Sequence, residues 1–130
     1  MTKARVLVVD DADTIRDHLK NIFTSDGYDV TEADRGTSGL EASQKEQFDL
    51  IVTDVNMPDM NGIDMIAKLR EDSMKLSTPV MVVTTESLRR WGDTCKELGA
   101  QFWIMKPFSE TAILSVAKKI IDSNQSSSAS

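Results

Sequence analysis

Apolar residues along this chain follow two patterns. Four short runs are nearly continuous: residues 6–9, 50–52, 80–83 and 102–105. Continuous runs, rather than alternating ones, are what strands buried on both faces of a parallel sheet require. A weaker strand is predicted over 28–33, after the turn-prone Ser25-Asp26-Gly27. Between the strands, apolar residues recur at helical spacing. Ile15, Leu19, Ile22 and Phe23 form one stripe; Ile63, Ile66 and Leu69 a second; Leu88, Trp91, Cys95 and Leu98 a third; Ile113, Ala117, Ile120 and Ile121 a fourth. A further helix is expected over 37–45, around Leu40. Strand and helix thus alternate five times, which implies right-handed crossovers and a parallel sheet with helices on both faces.

A chain of 130 residues suggests one domain. The fold is expected over 1–121, with the polar, Ser-rich segment 122–130 as a disordered tail. A net charge of −6 argues against a nucleic-acid partner and against adsorption to an anionic membrane. Cys95 is the only cysteine, so an internal disulfide is impossible. The N-terminal apolar run is too short for a signal peptide and no stretch reaches transmembrane length, so a cytoplasmic location is expected.

The candidate chemistry lies where the strands end. Ligands of open α/β sheets bind beyond the carboxyl ends of the strands. The first strand ends in Asp10 and Asp11, the third in Asp54, the fourth in Thr84, Thr85 and Glu86, the fifth in Lys106 before Pro107. Each alone is more often a helix cap, a turn residue or a strand exit than a site, and Asp13 is a candidate cap for the first helix. A strand order of 2-1-3-4-5 would bring them together. Three carboxylates in one cleft repel each other, which calls for a cation, raised pKa values or both. An oxygen-rich, sulfur-free set points to a hard ion, Mg²⁺ or Mn²⁺.

The blocks VLVVDDAD, LIVTDVNMPDMNG, VMVVTTES and WIMKPF, in this order and spacing, resemble the signature blocks of bacterial two-component response-regulator receiver domains, over roughly residues 4–121. Among these, NMPDMNG and the Thr84-x-Glu86 pattern are most similar to the stand-alone chemotaxis type. The resemblance implies a flavodoxin-like (CheY-like) doubly wound five-stranded parallel sheet in the order 2-1-3-4-5. It also implies a phosphorylation-activated signalling switch rather than an enzyme acting on other molecules. Asp54 would accept a phosphoryl group from a histidine kinase. Asp10, Asp11, Asp54 and the backbone carbonyl of Asn56 would hold Mg²⁺, with Asp11 contributing more directly than Asp10. Lys106 would contact the phosphoryl oxygens and Thr84 would donate its hydroxyl to one of them. Asn56 and Glu86 would tune hydrolysis.

Trp103 stands where the family places a switch aromatic, usually Tyr or Phe. Packing is the equal alternative for it, because Trp is larger and Thr85 occupies a position that is usually Ala or Gly. Output is expected through the face around Arg89, Trp103 and Lys118, toward a flagellar motor switch protein or a histidine phosphotransfer protein, with the chain itself a monomer. The runner-up is a phosphorelay intermediate. An aspartyl-phosphate-type phosphatase would need an acid two positions after Asp54, where Asn56 stands. A flavin or nicotinamide site would need a neutral or Gly-rich first loop, where the chain has DDAD. His18, Trp91, Met57, Met60 and Met65 are expected to pack. Replacing Asp11 by Asn is expected to stabilise the metal-free fold by relieving repulsion.

Overall fold

A computed structural model of the chain describes residues 3–72, 75, 77–100 and 102–129, with the side chains of 124–129 outside the description. Five strands alternate with five helices: β1 (Arg5–Val9), α1 (Asp13–Ser25), β2 (Asp29–Ala33), α2 (Gly36–Lys45), β3 (Leu50–Thr53), α3 (Gly62–Leu69), β4 (Val80–Thr84), α4 (Leu88–Glu97), β5 (Phe102–Met105) and α5 (Glu110–Ala129). The strands form one parallel sheet in the order β2-β1-β3-β4-β5. This is the doubly wound, flavodoxin-like arrangement that the sequence blocks imply.

Successive residues of a strand point to opposite faces, and here they feed two separate cores. Leu7, Val9, Ile51, Val80 and Val82 pack with Ile63, Ile66 and Leu69 of α3 and Cys95 of α4. Val6, Val8, Leu50, Val52, Met81 and Val83 pack with Leu19, Ile22 and Phe23 of α1 and Ile113, Ala117, Ile120 and Ile121 of α5. Apart from Arg5 at the start of β1 and Thr53 and Thr84 at the carboxyl ends of β3 and β4, the central strands are apolar on both faces, which is why their runs are continuous.

The outer elements depart from the sequence expectation. β5 forms an edge of the sheet; its residues are only partly buried and Met105 is 48% exposed. Of the third stripe, only Cys95 is buried, and Leu88 is 53% exposed. An edge strand has a neighbour on one side only, so the helix laid over it covers less. Asp13 does not cap α1: Ala12 holds the cap position without a side-chain bond, and Asp13 is the first helical residue. Side-chain caps form at Asn61, accepting from Asp64 N on α3, at Ser87, accepting from Arg89 N on α4, and at Ser109, accepting from Ala112 N on α5. The backbone of α5 continues to Ala129, through most of the Ser-rich segment for which composition predicted disorder; Ser130 lies outside the described residues. Once a helix is nucleated, each further residue adds a backbone hydrogen bond. Among the described residues no helix is long and apolar enough to cross a membrane.

Candidate functional site

Parallel pairing in register carries the ends of the strands to one rim. Val9 lies level with Thr53, and Thr84 level with Met105. The residues immediately beyond β1, β3 and β5 are then Asp10, Asp54 and Lys106. Their backbones are tied across the sheet: Asp10 N donates to Ala33 O (3.1 Å), Asp54 N to Val9 O (3.1 Å) and Lys106 N to Thr84 O (2.9 Å).

Side-chain oxygens of Asp10, Asp11 and Asp54 lie within 4.8 Å of one another. Asp10 is 1% exposed and Asp54 8%, whereas Asp11 is open to solvent. The Lys106 ammonium donates to both buried acids, 2.9 Å to Asp10 Oδ2 and 2.9 Å to Asp54 Oδ2. The remaining oxygens are also engaged. Asp10 Oδ1 accepts from Ala12 N at 2.9 Å, and Asp54 Oδ1 accepts from Val55 N at 2.6 Å. Asp10 thus closes a turn and belongs to the acidic cluster at once.

One cation faces three carboxylates, and unit charges about 5 Å apart repel by roughly 3 kcal/mol at an effective dielectric of about 20. Burial raises the Asp10 pKa above the ordinary carboxylate value, against the lowering effect of the Ala12 amide and of Lys106; the Asp54 charge adds to the rise. Burial pulls the Lys106 ammonium the other way, but its bonds to Asp54 and Asp10 and their charges outweigh that pull and leave its pKa raised. An ion pair alone would lower the acid and raise the base. Asp10 goes up because desolvation exceeds what a single shared ammonium returns.

Burial also moves the crowding within the acid pair. The sequence reading placed the relief of repulsion at Asp11. In the structure Asp11 is solvated, and the desolvated acid is Asp10.

On the β4 side, Thr84 is fully buried and its Oγ1 accepts from Glu86 N at 3.2 Å. Asn56 Nδ2 donates to Glu86 Oε1 at 3.0 Å, so the two residues expected to tune hydrolysis touch each other across the rim. Trp103 Nε1 donates to Glu86 O at 3.2 Å, and the ring packs partly buried against the core. Glu86 is therefore held through its amide by β4, through its carbonyl by β5 and through its carboxylate by the loop after β3. Of the expected output residues, Arg89 and Lys118 are exposed and Trp103 is half-buried.

Sequence reasoning missed the parts played by four residues. Gly62 opens α3 where a Cβ would fall 2.0 Å from the Asp54 carbonyl oxygen, so only glycine lets the loop close behind the site. Its N donates to Val55 O at 2.8 Å. A Gly four residues after the Pro58 of a Pro-Asp turn is a visible motif element, but the close approach is not legible from it. Arg16 donates Nη1 to the Asp10 carbonyl at 2.8 Å. Leu88 and Met105 are the large exposed hydrophobics among the described residues, and Met105 sits level with Thr84. The residues set aside as packing do pack: Met65 is buried, Met57, Met60 and Trp91 lie against the same core, and His18 stacks on Phe108 with centroids 5.3 Å apart.

Known proteins resemble this chain in sequence and in fold. The Chemotaxis protein CheY-3 of Vibrio cholerae is 35% identical over 119 residues, spanning 91% of this chain and 92% of its own. The Chemotaxis protein CheY of Pseudomonas aeruginosa is also 35% identical over 119 residues, covering 91% and 96%. The crystal structure of Vibrio cholerae CheY4 superposes with a TM-score of 0.87 at 34% identity, over 92% of this chain and 99% of that one. A CheY-like receiver domain protein from Methanospirillum hungatei superposes with a TM-score of 0.91 at 28% identity, over 97% and 99%. The family description "Response regulator receiver domain" matches residues 6–118, and with it the chain belongs to the response regulator receiver domain family.

Proposed function

We propose that this chain is a phosphorylation-activated switch of the stand-alone chemotaxis type, in which Asp54 accepts a phosphoryl group from a histidine kinase. The observation that carries the reading is the Lys106 ammonium shared between Asp10 and Asp54 at 2.9 Å each, beside the exposed Asp11. A carboxylate can act as a covalent nucleophile, but a second anion must approach it, so the site has to supply positive charge. Lys106 supplies one such charge and is aimed at the Asp54 oxygen. The donor set of Asp10, Asp11 and Asp54, all oxygen and clustered within 4.8 Å, fits a hard divalent ion, with the Asn56 carbonyl as a further ligand. Bound there, Mg²⁺ (or Mn²⁺) would offset the mutual repulsion of the carboxylates and of the incoming phosphoryl group.

Thr84 is the reporter in this reading. Its hydroxyl, engaged at rest with Glu86 N, would turn to donate to the phosphoryl oxygen and release the β4–α4 loop. Charge-assisted hydrogen bonds contribute roughly 1.5–3 kcal/mol each, and two new ones on Asp54 would shift a two-state equilibrium about 10²–10⁴-fold. Output would then pass through the exposed α4–β5 corner to a protein partner. The similarity to chemotaxis proteins over nine-tenths of the chain favours a flagellar motor switch protein as that partner over a histidine phosphotransfer protein. A cytoplasmic, monomeric protein goes with this reading.

The test is intact-mass analysis after incubation with Mg²⁺ and acetyl phosphate. Wild type should gain one labile phosphoryl group and Asp54→Asn none. A phosphoryl group gained by Asp54→Asn would reject the assignment.

A further inference from the structure

We propose that Arg16 is a positioning residue for divalent-cation binding, locking the β1–α1 turn that presents Asp10 and Asp11. The inference rests on the metal reading above and adds the group that holds the acidic turn in place. Arg16 lies in the first turn and a half of α1, with a side chain only 16% exposed. Its guanidinium gathers three acceptors. Nη1 donates to the Asp10 carbonyl at 2.8 Å, Nη2 to Asp13 Oδ1 at 2.6 Å, and Nε lies 3.5 Å from Glu32 Oε1. These partners belong to three places: the acidic turn itself, the start of α1 and strand β2. A planar fork of five donors can bridge them at once; an ammonium cannot.

The ion pair with Asp13 is of little energetic account, since that carboxylate is 85% exposed. The bond to the Asp10 carbonyl matters for a geometric reason. Asp10 is already fixed by its amide on Ala33 O and its carboxylate on Ala12 N and Lys106. Asp11, by contrast, is exposed and has no comparable anchor of its own. The peptide carbonyl that Arg16 holds is the one joining Asp10 to Asp11. Fixing that peptide plane sets the direction in which the Asp11 carboxylate leaves the backbone, and a metal centre depends on such outer supports to orient its ligands.

The charge of Arg16 makes the proposal easy to distinguish from its rivals. Removing a positive charge near a cation site should tighten Mg²⁺ binding if electrostatics alone mattered. Removing a turn anchor should weaken it. A merely structural role would lower stability in EDTA and leave the Mg²⁺ affinity untouched. Lys20 is the natural control: its ammonium lies 3.3 Å from the same Glu32, on the other carboxylate oxygen, without touching the acidic turn.

The experiment titrates Mg²⁺ against thermal melting of the full chain, for wild type, Arg16→Ala, Arg16→Lys and Lys20→Ala, with the Mg²⁺ dependence of acetyl phosphate labelling as a second readout. Arg16→Ala is expected to bind Mg²⁺ about tenfold more weakly, the lower end of the range for outer supports of metal ligands. Its labelling rate at saturating Mg²⁺ should stay near wild type. Arg16→Lys should remain weakened, and it serves in place of the alanine variant should that one fail to fold. Lys20→Ala should bind as tightly as wild type or slightly more so. Unchanged or tighter binding in Arg16→Lys, or equal weakening in Lys20→Ala, overturns the proposal. Failure of the metal reading looks different: wild type itself would show no Mg²⁺-dependent rise in melting temperature.

Discussion

The two ends of the candidate site are built differently. At the acidic end, Asp10 and Asp54 follow the central strands β1 and β3 almost out of contact with water, Lys106 follows the edge strand β5, and every carboxylate oxygen of the two buried acids is bonded to an amide or to the ammonium. At the α4–β5 corner, Glu86 is held by single neutral or half-exposed bonds, and Leu88 and Met105 offer bare apolar surface. In the proposed reading, chemistry requires groups held within fractions of an ångström, which the buried and fully bonded carboxylates supply. In the same reading, signalling requires a segment that can be moved by a few kcal/mol, which shallow burial permits.

Two glycine substitutions break this comparison most sharply. Gly62→Ala drives a methyl group to 2.0 Å from the Asp54 carbonyl, where backbone cannot yield. It should cost at least about 3 kcal/mol, at the top of the range for overpacking, and displace Asp54. Gly92→Ala, inside α4 with only the tip of Leu88 within 3.9 Å, should stabilise the fold by roughly 0.5–1 kcal/mol through helix propensity. Urea unfolding of the pair is expected to give opposite signs. Equal costs would mean that the corner is as tightly packed as the rim.

Lys106→Met removes the cation from two buried acids. Breaking one side of a buried pair costs about 3–5 kcal/mol; the lysine side chain is 13% exposed, and about 2 kcal/mol is expected in EDTA at neutral pH. A raised folded-state pKa means that the Lys106 contribution is complete below 10.5 and is lost as pH rises through the folded value. The loss in the variant should therefore be visible across the neutral range and shrink only on acidification, as the acids protonate. Denaturant melts between pH 3 and 8 check this.

Asp10 titrates in the same sense but in an acidic window. Its folded pKa is raised, so it favours the fold most below 3.8 and withdraws that support as pH climbs through the folded value. Asp10→Asn should stabilise the metal-free protein at neutral pH by on the order of 1 kcal/mol, with the gain fading below pH 4. The exposed Asp11→Asn should give less. A larger gain at Asp11 would place the charge crowding outside the buried pair.

The smallest effect belongs to the corner. Trp103→Phe keeps the ring and removes the bond to Glu86 O, a loss of about 0.5–1.5 kcal/mol. If that bond restrains the β4–α4 loop, the variant should show faster amide exchange in 85–88 while labelling of Asp54 is retained. Unchanged exchange would make the ring a packing residue alone.

Much of this molecule was legible before the structure. Continuous apolar runs mark β1, β3 and β4 because their odd and even residues enter different cores. The stripes of α1, α3 and α5 are buried as their spacing predicts, apart from Ile15, which is partly covered. The stripe of α4 misled, because a helical moment records which face is more apolar and not whether anything covers it. The acidic rim was legible as strand-end residues, since a polar group following a buried run must lie where the sheet ends.

Tertiary structure decided what separate segments do to one another. That Asp10 rather than Asp11 is the desolvated acid follows from the turn over β1. That Gly62 must lack a side chain follows from the Asp54 carbonyl behind it, and that Arg16 grips the acidic turn follows from the crossing of α1 over β2. The sequence by itself determined the order of elements and the chemical inventory, because periodicity and residue type are local properties. Distances, burial and shared partners join residues as far apart as Asp10 and Lys106, 96 positions along the chain, and only the packed sheet brings them to 2.9 Å.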